Sequence, residues 1–509
     1  MKKPVYLAVG LAALLLAVHL GGSFFTNRKI DRLIEEANHD GNHFSIGGRD
    51  LSFGPFNVDV AFDDVKMDQP RGPFRFTGTV DHVDIQGLSV MKVLSGEVSI
   101  SEVLVKGAAL ELHPLPEKPD TAALVQNEKI KPFVIRELRI DDGRLALYDE
   151  ADKLTAEILG LAASASLVLP LAPATPPKIS LTADSLHFPD MDAAKTINDL
   201  ELDTELQTLR IGTARISPRQ TVRSYLTSIA HKDTWQALRI DGLEATDVPF
   251  DSLFAKAPTV LPNVTIGDFN LDVFENPSLE KPPKEHRKLF PVEAFRNLSR
   301  PFLLRSLTVA RANIAYGVHK EDAAKPDITF AGTIRAGNFS TWRQDAPAFA
   351  EADFMFEGDS PLNVRFELDQ AGDGRDFSVT GQLEDYELTE INPLLLLAAG
   401  ADVESGHVDR MTHDFSVTNG VASGKLVLEY HDLELKMQGK KSWLINILED
   451  VVIRDSNPRN DGDLVIGRVN AEHDPTRSFF NLYWKSLVSG MKSCVAGKSF
   501  LPEELDPLQ

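Results

Sequence analysis

From about residue 50 onward the chain alternates apolar and polar residues with a period of two, and this constrains its fold more than any other feature. Phe56, Val58, Val60 and Phe62 alternate with Asn57, Asp59, Ala61 and Asp63. Leu362, Val364, Phe366 and Leu368 alternate with Asn363, Arg365, Glu367 and Asp369. Successive strand side chains point to opposite faces, so each run reads as a strand with one apolar and one polar face, as in antiparallel sheet with one side toward water. Gly372-Asp373-Gly374 separates the second run from Phe377, Val379 and Leu383. Asn419-Gly420 separates Phe415 and Val417 from Leu426, Leu428 and Tyr430. Both arrangements read as hairpins. After Tyr430 the apolar residues move to odd positions, Leu433, Leu435 and Met437. One extra residue near His431-Asp432 would restore the facing, which predicts a β-bulge there.

A loose repeat runs through the same region. Val103 and Val105 lead to Leu110 and Leu112, and Leu138 and Ile140 lead to Leu145 and Leu147. Val264 and Ile266 lead to Leu271 and Val273, and Leu307 and Val309 lead to Ile314 and Tyr316. Each copy places apolar residues at positions 1, 3, 8 and 10. The copies recur at irregular distances, which excludes a fixed-period solenoid. Two readings stand: generic hairpins sharing a turn, or an elongated sheet grown from similar strand pairs.

The N-terminus has a different character. Lys2 and Lys3 precede Val5 to Phe25, 21 residues without Asp, Glu, Lys or Arg. As a helix this run spans roughly 30 Å, the thickness of a hydrocarbon core. It reads as an uncleaved anchor, with the bulk of the chain translocated. A cleaved signal peptide, with Gly21 and Ser23 as the small residues, is the alternative. Ile30, Leu33, Ile34 and Ala37 then follow helical spacing. At 509 residues the chain is long for one core. Pro and charge accumulate without periodicity at His113 to Pro132, Pro170 to Lys178 and Asn276 to Lys288. The expected organisation is an anchor over 1–26, a β-rich repeat region over 27–285 and a C-terminal β-rich domain over 286–509. Two helical patterns fall near the end, one capped by Ser442. The other starts at Asp474-Pro475 and carries Phe480, Tyr483, Trp484, Leu487, Val488 and Met491 on one stripe. The fold class is therefore mainly β (β-rich α+β): a transmembrane helix, an elongated curved antiparallel sheet of repeated strand pairs, short helices and a C-terminal amphipathic helix. That last helix is read as a cap on the core.

Composition narrows the function. Apolar residues make up 43% and charged residues 25%, an ordinary globular mix that excludes a disordered chain. Lys and Arg number 53 against 75 Asp and Glu, a formal charge of −22, which argues against nucleic acid as a partner. The single cysteine, Cys494, excludes an internal disulfide and a Cys-rich zinc site. No phosphate-binding loop, dinucleotide fingerprint, HExxH or GxSxG is present. The richest polar cluster is His407, Asp409, His413, Asp414, His431 and Asp432. His407 and His413 with Asp409 between them have ligand chemistry, but the pattern reads as strand, turn and bulge residues. Asp455 to Asp463 resembles a calcium loop but lacks Gly at position 6 and Glu at position 12, so it reads as a polar loop. No catalytic, cofactor or metal residue is assigned, and the chain is expected not to be an enzyme. A hydrolase built on the His407 to Asp432 cluster is the remaining catalytic alternative.

The order of an N-terminal anchor and long β-rich repeats resembles the AsmA-like superfamily of bacterial envelope proteins. The most specific residues are Leu388-Thr-Glu-Ile-Asn-Pro-Leu, Val403-Glu-Ser-Gly-His-Val-Asp, Tyr430-His-Asp-Leu and Ser478-Phe-Phe-Asn-Leu-Tyr-Trp-Lys-Ser, which look like a conserved-domain branch of AsmA-related proteins over roughly residues 290 to 495. The resemblance extends to bridge-like lipid transporters, in which a curved sheet forms an apolar groove for acyl chains. It implies an inner-membrane-anchored, single-pass periplasmic protein that binds or transfers phospholipid and contributes to envelope integrity, with the inner membrane and envelope proteins as partners. The chain is short for bridging two membranes alone, which suits a shuttle, an assembly subunit or a regulator. The other reading is a non-catalytic envelope scaffold or assembly factor acting through protein contacts. The groove is expected on the apolar sides of Phe56 to Phe62 and Leu362 to Leu368.

Overall fold

The computed structural model describes residues 38, 43–71, 74–89, 91–92, 98–115, 133–169, 178–190, 192–255, 257–276, 278–280, 287–318, 326–392, 401–437, 454–459 and 462–496. The expected anchor over 1–26, the helical spacing over 30–37 and the helix expected after Ser442 lie outside them. Among the described residues no helix is long and apolar enough to cross a membrane.

Mostly antiparallel strands account for most of the described chain. They begin with β1 (His43–Ser45), β2 (Gly48–Phe53), β3 (Asn57–Arg71), β4 (Phe74–Ser89), β5 (Val98–Pro114), β6 (Phe133–Tyr148), β7 (Leu154–Leu169), β8 (Ile179–Phe188), β9 (Ala193–Asp203) and β10 (Thr208–Pro218). Then come α1 (Val222–Ser228), β11 (Thr234–Thr246), α2 (Phe250–Ala255), β12 (Thr259–Leu261), β13 (Asn263–Glu275) and α3 (Pro291–Arg296). The remainder is β14 (Phe302–Val318), β15 (Ile328–Ser340), β16 (Ala348–Phe356), β17 (Ser360–Leu368), β18 (Phe377–Glu387), a 3₁₀ turn (Leu388–Ile391), β19 (Ala401–Thr418), β20 (Val421–Met437), β21 (Ile466–Glu472) and α4 (Phe479–Val495). Two compact units result: Met1–Arg215 with Glu244–Ala255, and Ile216–Leu243 with Lys256–Gln509.

In the first unit β1 and β2 both pair antiparallel with β3, which continues antiparallel to β4 and β5. From β6 through β7 and β8 to β9 the ladder is again antiparallel. Between these sets, β5 and β6 run parallel. The second unit has the same plan: β13 lies parallel to β14, and β14 to β21 form an antiparallel meander.

The parallel ladders explain the repeat. Val103, Val105, Leu110 and Leu112 sit opposite Leu138, Ile140, Leu145 and Leu147. Val264, Ile266, Leu271 and Val273 sit opposite Leu307, Val309, Ile314 and Tyr316. The four copies thus pair two by two, equivalent residue against equivalent residue. Each copy is one long strand, which corrects the reading as hairpins sharing a turn. Positions 1 and 3 differ in parity from 8 and 10, so an unbroken strand would put them on opposite faces. In β5 and β6 the intervening Gly107 and Asp142 have φ of 61° and 56°. A residue in this left-handed conformation is the mark of a bulge, and its extra step returns Leu110 and Leu145 to the buried side with Val103 and Leu138. Parallel neighbours also require the chain to travel back before pairing. In sequence, the Pro-rich and charged residues that follow β5 and β13 separate each of these strands from its parallel partner.

Each unit has its own core. The first is almost wholly aliphatic, with Val60, Ile85, Ile100, Val103 and Ile135 among its buried residues. The second is rich in aromatics, including Phe290, Phe366, Phe377, Phe415 and Tyr430, and is closed by Phe479, Leu482 and Leu487 of α4. Both predicted hairpins form, with Leu368 opposite Phe377 and Thr418 opposite Val421.

The C-terminal helix differs from its predicted start. Asp474 Oδ1 accepts from the Thr476 backbone N–H (3.0 Å) and from its hydroxyl (2.7 Å), a local turn of its own. Ser478 is the true cap, its Oγ accepting from the Asn481 N–H at 3.3 Å. The buried face is Phe479, Leu482, Ser486, Leu487, Gly490 and Cys494, and Phe480 is 67% exposed. The face is rotated from the apolar stripe because close approach needs small residues. A Cβ on Gly467 of β21 would lie 2.2 Å from the Gly490 carbonyl oxygen.

Candidate functional site

Two places in the structure concentrate unusual features: a polar cluster on β18 to β20 and an apolar face on β7 to β9.

The polar cluster is created by register. Glu387, His407 and His431 lie opposite one another across β18, β19 and β20. The β19–β20 ladder shifts between Ser405 and His407 and again between Val408 and Arg410. Pairing of Ser405 with Glu434 and of His407 with His431 leaves an extra residue on β20, where Asp432 has φ of 55°. This is the bulge expected at His431-Asp432. Pairing of Val408 with Tyr430 and of Arg410 with Glu429 leaves Asp409 as a second extra residue, on β19. The bulge on β20 thus brings Asp432 to the side of its neighbour His431, from which a regular strand would separate it.

Within the cluster, His407 Nδ1 lies 2.8 Å from Glu387 Oε1 and its Nε2 3.3 Å from Asp385 Oδ1. His431 Nδ1 lies 2.9 Å from Asp432 Oδ2 and its Nε2 3.6 Å from Asp409 Oδ1. The two rings stand 5.2 Å apart. The hydrogen bond to Asp432, helped by the charges of Asp409 and Glu387, holds the His431 imidazolium above the usual histidine range. Asp385 and Glu387 were not anticipated from the sequence. The hairpin register, carried one strand further, was the signal that could have placed them.

His413 does not belong to this cluster. Six residues from His407, it would share its face on a regular strand, but the Asp409 bulge between them turns it to the opposite side. It is 3% exposed, lies over Gly381 and has its Nε2 3.1 Å from the Tyr483 hydroxyl. Burial pushes its pKa down to about 4, so the ring is neutral at pH 7. Asp414 sits opposite Thr380 and Lys425, away from His407.

Two further candidates are occupied structurally. In the Asp455 to Asp463 loop, Asn457 donates to the Leu428 and Val465 carbonyls (2.6 and 3.0 Å) and accepts from the Val465 N–H (2.7 Å), pinning the loop to β20. Asp463 pairs with Arg454 at 2.9 Å. The Cys494 thiol is buried under α4, and burial raises its pKa to about 11, which removes thiolate reactivity at pH 7.

The apolar face belongs to the first unit. Leu181, Ala183 and Leu186 of β8 lie opposite Leu202, Leu200 and Ile197 of β9. On the other side of β8, Leu181 and Leu186 meet Ala163 and Ile158 of β7. The intervening positions are polar, with Thr182 opposite Glu201 and Ser185 opposite Asn198. Ala183 is buried, but Leu181, Leu186, Ile197, Leu200 and Leu202 are only half-buried, and no residue of β9 is fully buried. The strands expected to line a groove behave differently. Val58, Val60 and Phe62 are at most 2% exposed in the first core; of Leu362 to Leu368, Phe366 and Leu368 are buried in the second core, to which α4 contributes, and Leu362 and Val364 are half-buried. Phe56 lies outside the strand in the turn before β3 and is 68% exposed.

Comparison with known proteins adds no relative: no family model matches the chain, and a search of curated proteins finds no match.

Proposed function

We infer that this protein binds acyl-chain lipid, phospholipid in the first instance, along the half-exposed apolar face of β8 and β9. It does so as a non-catalytic periplasmic protein held in the inner membrane by residues 5–25. The observation that carries this reading is the row of Leu181–Leu202 and Ala183–Leu200 pairs, continued past the left-handed Asp199 (φ 53°) by Leu186–Ile197, on a sheet face left only partly covered. Contiguous aliphatic surface is costly to leave in water, and each methylene of a bound chain that is buried contributes about 0.8 kcal/mol without any specific polar contact. The uncharged run from Val5 to Phe25 and the resemblance to AsmA-like envelope proteins support the location and the lipid class. An aromatic core buried under α4 favours the scaffold reading for its own region.

The test is native mass spectrometry of the full-length chain released from detergent, followed by lipid extraction. Near-stoichiometric phospholipid is the expected result. A monodisperse, lipid-free protein would reject the lipid reading in favour of the scaffold.

A further inference from the structure

We propose that His407, Asp409 and His431 form a binding site for a late first-row divalent cation such as Zn²⁺ at the paired bulges of β19 and β20. One ligand atom from each lies within 4.8 Å of the others. Both imidazoles are oriented in the same way. Nδ1 of His407 faces Glu387 and Nδ1 of His431 faces Asp432, at 2.8 and 2.9 Å. A carboxylate that accepts the Nδ1–H hydrogen bond fixes the neutral tautomer whose Nε2 lone pair is free, which is how metal-bound histidines are commonly supported. Each Nε2 already faces a carboxylate oxygen, Asp385 at 3.3 Å and Asp409 at 3.6 Å.

Charge points the same way. Asp385, Glu387, Asp409 and Asp432 surround two imidazoles, and Arg410 is engaged by Glu429 at 2.6 Å. A divalent ion would offset this concentration of negative charge. Two imidazoles and a carboxylate suit Zn²⁺, Co²⁺ or Ni²⁺ better than Mg²⁺ or Ca²⁺, which prefer all-oxygen shells. Ligand atoms around tetrahedral zinc are roughly 3.3 Å apart, so these side chains must close in by rotation. Asp409 and His431 are exposed and His407 is half-buried, which leaves room for it. Ligands on both strands make the ion a staple between β19 and β20, and binding to the folded state alone raises its stability.

The test is titration of the untagged full-length chain with Co²⁺, read by its visible absorption, with Zn²⁺ as competitor. One Co²⁺ per chain is expected, displaced by Zn²⁺, and at least tenfold weaker binding in His431→Gln and in Asp409→Asn. Two carboxylate-paired histidines serve as controls: His82→Gln and His113→Gln should bind as the unmodified protein does. Thermal melts without metal check that each variant is folded. Absence of Co²⁺ binding, or binding unchanged in both His431→Gln and Asp409→Asn, would overturn the proposal.

Discussion

The apolar faces of β8–β9 and of β17–β20 are written in the same two-residue alternation, yet β9 has no fully buried residue, while the other face is buried under α4 around Phe366, Phe377 and Phe415 and leaves Leu362 and Val364 half-buried. Over the second, α4 lays Phe479 and Tyr483 each 5.2 Å from Phe366, and Phe479 stands 4.7 Å from Phe377. Interlocking rings of this kind fix a dry core with one arrangement of side chains. On β8 and β9 the face is built only of Leu, Ile and Ala, paired across the ladder and partly open. Alternation therefore tells which side of a strand is apolar, and the chemistry of the neighbours decides whether that side becomes core or binding surface.

Truncation should separate the two faces most strongly. Leu482 is fully buried, so Leu482→Ala should destabilise the protein by about 3 kcal/mol through lost burial and a residual cavity. Denaturant unfolding measures this, and lipid content should stay unchanged. If lipid falls with it, the face under α4 is not independent of binding.

The face under α4 should also be the acid-sensitive one. His413 is held neutral with a pKa of about 4, against 6.5 in an unfolded chain, and its Nδ1 has no hydrogen-bond partner among the described residues. Between these values the unfolded state takes up a proton that the native state refuses. Stability contributed by this residue is complete above pH 6.5 and falls as pH drops toward 4, by up to about 3 kcal/mol. In His413→Leu the stability curve between pH 6.5 and 4 should flatten, and an unchanged slope would assign the acid response elsewhere.

The smallest effect belongs to the open face. Leu200 is half-buried, and Leu200→Ala should cost only about 1 kcal/mol. Co-purifying lipid should nevertheless decrease. A loss as large as that of Leu482→Ala would mean that this face is core as well.

Local periodicity made much of this legible in the sequence. The strands, both hairpins and the bulge at His431-Asp432 follow from which residues alternate and where the phase slips. The pairing of repeat copies was not legible, because parallel neighbours are joined through long connections and no local pattern reports who pairs with whom. The coverage of each face was hidden for the same reason, which is why Phe56 to Phe62 reads as a groove strand although Val58, Val60 and Phe62 are core. In the polar cluster, His407 and His431 were recognisable as candidates. The second bulge, at Asp409, has no signal of its own because Asp409 carries no apolar phase, and His413-Asp414, which read as turn residues, lie within β19.

The most direct test of the lipid-binding face is site-specific photocross-linking in membranes, with a benzophenone side chain placed at position 200 and, separately, at position 201. These neighbours lie on opposite faces of β9, one opposite Ala183 and the other opposite Thr182. Phospholipid adducts are expected at 200 and none above background at 201. Equal labelling at the two positions, or labelling at neither, would contradict it.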